Sequence, residues 1–182
     1  MIDTHAVLQV LYFLVPAYLA NMSPVLVGRR FSVLAVPIDG GRTLWDKPIL
    51  GDHKTWRGLL AGIVGGILAF ELQRFAYSAG FARDLALIDY AAHPVLPGLL
   101  LGLGTGVGDA VKSFVKRRIA IAPGESWLVF DQLDFVVGAY VFVSIIYVPP
   151  LLPLLASLPI VFVGNLAMTV VGYWLGLKET WI

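Results

Sequence analysis

Five long apolar runs constrain this chain more than any other feature. They lie at roughly 5–28, 58–79, 94–113, 132–149 and 152–176. A helix needs about 20 such residues to cross a hydrocarbon core of about 30 Å. Inside that core the backbone must satisfy its own hydrogen bonds, and successive single spans can do so only as helices. The chain therefore reads as all-α and polytopic, a single membrane domain over 1–182 with about five transmembrane helices. Composition agrees, with 58% hydrophobic residues, 14% charged and a mean hydropathy of +0.82. A soluble fold of 182 residues could not bury that much apolar surface. No basic segment precedes the first run, which is read as a retained helix rather than a cleaved signal.

Basic residues orient the spans, because Lys and Arg in short loops stay on the cytoplasmic side. Arg29, Arg30, Arg42, Lys47, Lys54 and Arg57 lie between spans one and two, and Lys112, Lys116, Arg117 and Arg118 between spans three and four. Lys178 follows span five, and only Arg74 and Arg83 fall towards the other side. This asymmetry predicts an outer N-terminus, an inner C-terminus, two cytoplasmic loops at 29–57 and about 114–131, and an outer loop near 80–93. Pro149 and Pro150 predict a tight turn between spans four and five. The net charge of +1 argues against nucleic-acid binding by bulk charge, so any anion must be met locally. With no cysteine, disulfides and thiolate chemistry are excluded. His5, His53 and His93 lack the spacing of a zinc site.

Glycines recur every four residues at Gly58, Gly62 and Gly66, at Gly98, Gly102 and Gly106 beside Gly104 and Gly108, and at Gly172 and Gly176. Close helix packing is the expected meaning. The run from Gly102 to Gly108 lacks the spacing and the preceding strand of a dinucleotide loop.

Asp109 is the most informative polar residue, since a carboxylate near the end of an apolar span must be paired, hydrated or bound to a cation. On a helix it shares a face with Lys112, Ser113 and Lys116. An Asp109–Lys112 ion pair is one reading. Asp131 and Asp134, three residues apart at the entrance of span four, also share a face, although Asp131 could simply cap its helix. Spans three and four bound the same loop, so the three acids can meet across it. Such a set suits a hard divalent cation, and Mg²⁺ takes one or two carboxylates together with substrate phosphates.

The second inner loop holds Lys116, Arg117 and Arg118, then Pro123-Gly124-Glu125-Ser126. Basic residues there set orientation and touch headgroups; beside a metal site they also suit a polyphosphate. The first inner loop mixes glycines with both charge signs, from Pro37-Ile38-Asp39-Gly40-Gly41-Arg42 to Gly51-Asp52-His53-Lys54-Thr55-Trp56-Arg57-Gly58. It is expected to fold over the site. Lys54, Thr55 and Arg57 precede span two, where helix N-terminal amides favour an anion. Glu71 and Arg74 are expected to pair. Asn21, Ser23 and Pro24 are expected to break the end of span one, bending it or lining a cavity.

The stretch Asp109-Ala-Val-Lys112-Ser113-Phe-Val-Lys116-Arg117-Arg118, then Pro123-Gly124 and Asp131-Gln-Leu-Asp134, resembles the C-terminal signature of the CTP-dependent lipid cytidylyltransferases. That signature has a Ser-x-x-Lys-Arg element, a loop and an Asp-x-x-Asp pair. The bacterial pattern carries Lys-Asp in the loop and His-Gly-Gly before an Asp-Arg-x-Asp ending. Glu125-Ser-Trp127 and Gln132 stand there instead, so its base-recognition details are not carried over. The short length, the five spans and the first inner loop are more similar to the archaeal branch, the CDP-archaeol synthases.

The resemblance implies that CTP and an unsaturated archaetidic acid, 2,3-bis-O-geranylgeranylglycerol 1-phosphate, yield CDP-archaeol and pyrophosphate with Mg²⁺. Asp109, Asp131 and Asp134 would hold the metal and, with Lys112, form the catalytic set. Ser113, Lys116, Arg117 and Arg118 would hold phosphates, Lys54, Thr55 and Arg57 the lipid phosphate or nucleotide, and Asn21 would also contact substrate. The lipid tails would stay in the bilayer against a groove between spans. Two alternatives remain. A CDP-alcohol phosphotransferase also uses aspartates at a membrane face, but its Asp-Gly-x-x-Ala-Arg signature is missing. A small transporter would favour polar residues at the midplane.

Overall fold

In the computed structural model, residues 3–28, 33–122 and 125–176 are described. Arg29, Arg30, Pro123, Gly124 and Lys178, used in the sequence reading, lie outside them. Among the described residues, six α-helices make five columns. The first is α1 (Thr4–Phe13) followed by α2 (Val15–Gly28); the others are α3 (Trp56–Ser78), α4 (Leu96–Arg118), α5 (Leu128–Val143) and α6 (Leu151–Trp174). Thr4–Gly28, Trp56–Ser78 and Leu151–Trp174 are long and apolar enough to cross a membrane. α4 is as long as α3 but carries the charged cluster, and α5 is shorter at 16 residues.

Lipid-facing character shows in what is left outside. Leu60, Val64, Leu68, Leu72 and Phe75 form an exposed apolar stripe down α3, and Leu152, Leu155, Ile160 and Val163 do the same on α6. The interior holds Val10, Phe13, Leu14 and Ala17 from the first column, Phe70, Leu101, Phe135, Val136 and Val161. The loop between α3 and α4 returns to this core, where Tyr90 is fully buried and stacks on Phe70 at 5.2 Å.

The first column is interrupted at Leu14, between α1 and α2. Pro16 has no N–H for the Tyr12 carbonyl, and Gln73 Nε2 of α3 donates to that oxygen at 2.6 Å. Pro24 likewise removes a donor, yet α2 runs through it to Gly28. The helix is thus not broken at Asn21, Ser23 and Pro24, although Asn21 and Pro24 do line a cavity as expected; the Ala20 carbonyl, which Pro24 cannot serve, faces Gly62, where a Cβ would come within 3.1 Å. Ser23 turns its hydroxyl back onto Leu19 O at 2.6 Å.

Two further boundaries differ from expectation. α4 continues past 113 to Arg118, because its last turn is rich in cations that suit the negative helix end. It closes with Ala120 in the left-handed region (φ 65°), Ile121 N donating to Lys116 O at 3.0 Å. Lys116 and Arg117 thus lie on a helix, both buried, rather than in a loop. α5 begins earlier than expected and ends at Val143, so residues 144–150 join α5 to α6 and not the two prolines alone.

The loop between α2 and α3 departs from an all-α chain, with an isolated antiparallel bridge between Pro37 and Thr55 and a hairpin of β1 (Thr43–Leu44) and β2 (Lys47–Pro48). Trp45 and Asp46 form its two-residue turn with φ 51° and 57°, the primed geometry that matches strand twist.

Candidate active site

The expected glycine packing is what builds the site. α4 and α5 touch backbone to backbone: a Cβ on Gly104 would overlap the Gly138 carbonyl, and one on Gly108 the Asp134 carbonyl. On the other side of α4, a Cβ on Gly102 would lie 2.9 Å from Ile63 Cα. This approach sets the polar end of α4 directly against the start of α5.

There the three acids meet around one ammonium. Lys112 Nζ lies 3.0 Å from Asp109 Oδ1, 3.1 Å from Asp131 Oδ1 and 2.9 Å from Asp134 Oδ2. Lys54 reaches in from the first loop to Asp109 Oδ2 at 2.5 Å. Lys116 Nζ binds both oxygens of Asp131, at 3.2 and 3.1 Å, and the Glu125 carbonyl. Asp131, in the first turn of α5, also reaches back to accept from Trp127 N at 2.5 Å. The expected Asp109–Lys112 ion pair therefore forms inside the shared cluster, whereas Asp131 lies within the first turn of α5 and is not its N-cap, which is Trp127. The expected Glu71–Arg74 pair forms as well, at 2.6 Å.

Among the described residues no three His, Asp or Glu side chains are placed to hold an ion unaided. The three aspartates share an ammonium instead. As hard oxygen donors around a single cation they suit Mg²⁺ when phosphate oxygens complete its coordination.

The cluster borders a cleft of about 430 Å³, within the range of small-molecule sites. α2 contributes Asn21 and α4 contributes Ser113, while Lys54 and Thr55 close it from the loop. Thr55 is also the N-cap of α3, accepting from Gly58 N at 3.2 Å. Arg117 lines the cleft at only 7% exposure, and its Nε and Nη1 find no hydrogen-bond partner among the described residues. Thr105 Oγ1 is also buried there with no partner among the described residues.

Arg118 and Arg57 do not line this cleft. The Arg118 guanidinium donates to the carbonyls of Leu44, Lys47 and Pro48 and lies over the rings of Phe114 and Trp45, so it fastens the hairpin to the end of α4. Arg57 donates its backbone N–H to Leu34 O at 2.9 Å and supports the loop's return. Ile38 N to Lys54 O at 2.8 Å and Trp56 N to Val36 O at 3.1 Å hold that return beside Lys54.

Several residues here were not singled out from sequence. Asp39 organises the loop, accepting from Gly41 N, Leu50 N and Gly51 N at 2.9, 2.8 and 3.2 Å. Burial works to raise its pKa, but these backbone donors outweigh it and hold the carboxyl below its ordinary value. Its signal was the Asp-Gly-Gly turn. On the far wall Asn165 Nδ2 donates to Gln132 Oε1 at 2.7 Å, and Asn21 Nδ2 to Asn165 Oδ1 at 3.2 Å. Asn165, alone in an apolar span, was the available sign.

Comparison with known proteins places this geometry. The family model described as CarS-like, CDP-archaeol synthase, matches residues 2–182. The CDP-archaeol synthase of Methanothermobacter thermautotrophicus is 39% identical over 176 residues, covering 96% of this chain and 94% of that protein. That of Methanospirillum hungatei is 36% identical, covering 91% and 98%, and that of Pyrococcus furiosus 35%, covering 88% and 91%. A solved structure described as an intramembrane enzyme for archaeal membrane lipids biosynthesis superposes with a TM-score of 0.69 at 33% identity, covering 90% of this chain and 94% of that one. These matches support neither the phosphotransferase nor the transporter alternative, and the chain belongs to the CDP-archaeol synthase family.

Proposed function

We propose that this chain transfers CMP from CTP to a membrane lipid phosphate, 2,3-bis-O-geranylgeranylglycerol 1-phosphate, giving CDP-archaeol and pyrophosphate. The observation that carries the reading is the group of Lys54, Lys112 and Lys116 held around Asp109 and Asp131 at the cleft, with the buried guanidinium of Arg117 beside it. A polyphosphate supplies acceptors for such a set of amines and an arginine.

In the reaction a lipid phosphate oxygen forms a bond to the CTP α-phosphorus. The bond from that phosphorus to the β-bridging oxygen breaks, and pyrophosphate leaves with the electron pair. A phosphate monoester is largely ionised at neutral pH, with a second pKa of about 6, so no general base is required. Positioning and charge neutralisation are the protein's task. Arg117, Lys116 and Ser113 hold phosphate oxygens from α4, and Lys54 guides the incoming lipid phosphate from the loop. Asn21 presents its amide from the opposite wall. Thr55 and Arg57 act by fixing the loop beside Lys54, and Arg118 by fastening the hairpin.

Asp109, Asp131 and Asp134 would hold Mg²⁺ together with the triphosphate, and the ion would neutralise charge on the phosphates. Lys112 balances the carboxylates in the meantime and is then free to turn towards the leaving pyrophosphate. The cleft faces the cytoplasm, with the N-terminus outside, on the strength of Arg42, Lys47, Lys54, Lys112, Lys116, Arg117 and Arg118 at its end of the bundle.

The test is label transfer. CTP labelled at the α-phosphate should pass its label to the lipid in the presence of Mg²⁺, while γ-label should appear only in pyrophosphate. Label from the γ-phosphate on the lipid, or no CDP-lipid at all, would sink the reading.

A further inference from the structure

A hydroxyl inside a helix ordinarily turns back onto the carbonyl three or four residues earlier. Ser23 does so onto Leu19 O at 2.6 Å, Ser157 onto Leu154 O at 2.7 Å and Thr169 onto Asn165 O at 3.0 Å. Thr105 of α4 does not. Its Oγ1 is buried and makes no hydrogen bond among the described residues, to Leu101 O or elsewhere. Thr105 is 3% exposed and lines the charged cleft. Threonine in a helix has two accessible χ1 rotamers, so its hydroxyl can turn to a ligand in the cleft at little cost.

The depth of Thr105 in the bundle distinguishes the two substrates. It precedes Asp109 by four residues and Lys112 by seven, so it shares their face of α4 and lies about 6 Å deeper than Asp109. Contacts with α3 fix the same level. A Cβ on Gly102 would lie 3.0 Å from Gly62 O, and one on Gly106 would lie 2.5 Å from Leu59 Cδ1. Thr105 therefore stands beside residues 59–62, a turn or more inside the span that begins at Trp56. Ala20, Gly62 and Gly106 also line the cleft, and they bring neither bulk nor charge to it. The charged residues of α4 in the cleft, Asp109, Lys112, Lys116 and Arg117, all lie towards the other end.

A triphosphate, with several negative charges, belongs among the amines and the guanidinium. The acceptor comes from the bilayer, so its phosphate meets the cluster from the deeper side. We propose that Thr105 Oγ1 donates a hydrogen bond to a phosphate oxygen of the lipid acceptor and positions it against the nucleotide. The assignment rests on the cytidylyltransferase reading. A neutral hydroxyl suits this task, because it orients one oxygen without cancelling the charge of the attacking one. Lys54, which reaches Asp109 from the loop, supplies the attraction by charge, and Thr105 supplies the direction.

The test separates the two substrates in the full chain. Thr105→Val replaces the hydroxyl by a methyl group, so the melting temperature should stay at or above that of the wild type. The variant should lower kcat/KM for the lipid phosphate by at least about tenfold, the usual effect of losing a hydrogen bond to a charged group. Its calorimetric Kd for CTP should stay within about twofold of the wild-type value. Thr105→Ser keeps the hydroxyl and should recover most of the loss. An unchanged kcat/KM, an equal loss of CTP affinity, or a serine variant no better than the valine one overturns the proposal. A second measurement keeps the threonine in place. With methyl-labelled threonine, the Thr105 resonance of the wild type, identified by its absence from Thr105→Ser, should shift more with the lipid phosphate than with a phosphate-free dialkylglycerol. Equal shifts would overturn the assignment. Absence of CDP-lipid from the wild-type protein would instead count against the reaction itself, and the resonance shift would still judge the hydroxyl.

Discussion

Gly108 of α4 faces the backbone carbonyl of Asp134 on α5 with no room for a side chain between them. The charged cluster depends on that approach, since it sets Asp109 and Lys112 against Asp131 and Asp134. Gly108→Ala should therefore force the helices apart and cost about 1–3 kcal/mol, the usual range for overpacking. Turnover should fall further than stability, because the Lys112 contacts to α5 loosen first. Thermal melting and activity measured on the same sample check this; full activity at unchanged melting temperature would contradict it.

Lys112 stands between three carboxylates, and its removal leaves them facing one another. Lys112→Met should destabilise the protein by about 3–5 kcal/mol, as expected when one partner of a buried ionic cluster is lost. Mg²⁺ should then raise the melting temperature of the variant more than that of the wild type, because a divalent cation can take the ammonium's place. Equal shifts in both proteins would argue against a metal at this position.

The two neighbouring arginines should separate cleanly. Arg117→Met removes a buried guanidinium whose Nε and Nη1 have no partner among the described residues, so it should hold or raise the melting temperature while weakening CTP binding by about tenfold or more. Arg118→Met should leave CTP contacts in place but free the hairpin, at a cost of about 1–3 kcal/mol in loop docking, seen as faster proteolysis between 42 and 50. Calorimetric titration with CTP and limited proteolysis read the two effects independently.

These two residues also show what was and was not legible in the sequence. Span number, the one-sided distribution of charge and the meeting of Asp109 with Asp131 and Asp134 followed from hydropathy and helical spacing. Arg117 and Arg118 differ by one position, about 100° around a helix, and only the continuation of α4 to residue 118 decides which of them faces the cleft. Pro24 looked like a helix end because propensity is local, whereas the close approach of Gly62 that accommodates the freed Ala20 carbonyl is tertiary. Asn165 carried a signal as a lone amide in an apolar run. Its partners Gln132 and Asn21, 33 and 144 residues away, are set by packing rather than by spacing.

Loop order should depend on acidity through Asp39. Its pKa is held below the ordinary value by three backbone donors, so its contribution is fully present above the unfolded-state pKa. That contribution is lost as pH falls through the ordinary carboxylate range towards the lower folded value. Proteolysis of the 33–55 loop should accelerate on acidification in the wild type, and Asp39→Asn should be susceptible already at neutral pH. A loop equally protected in both proteins at pH 7 would contradict this role.

The central claim is that Asp109 belongs to the machinery that activates a lipid phosphate with CTP. The most direct measurement is Mg²⁺-dependent formation of CDP-lipid by purified wild-type protein and by Asp109→Asn, with thermal melting of both recorded alongside. The account predicts product from the wild type and a loss of at least about 10²-fold in the variant, which should remain folded. Near-normal turnover by a folded Asp109→Asn protein would contradict it.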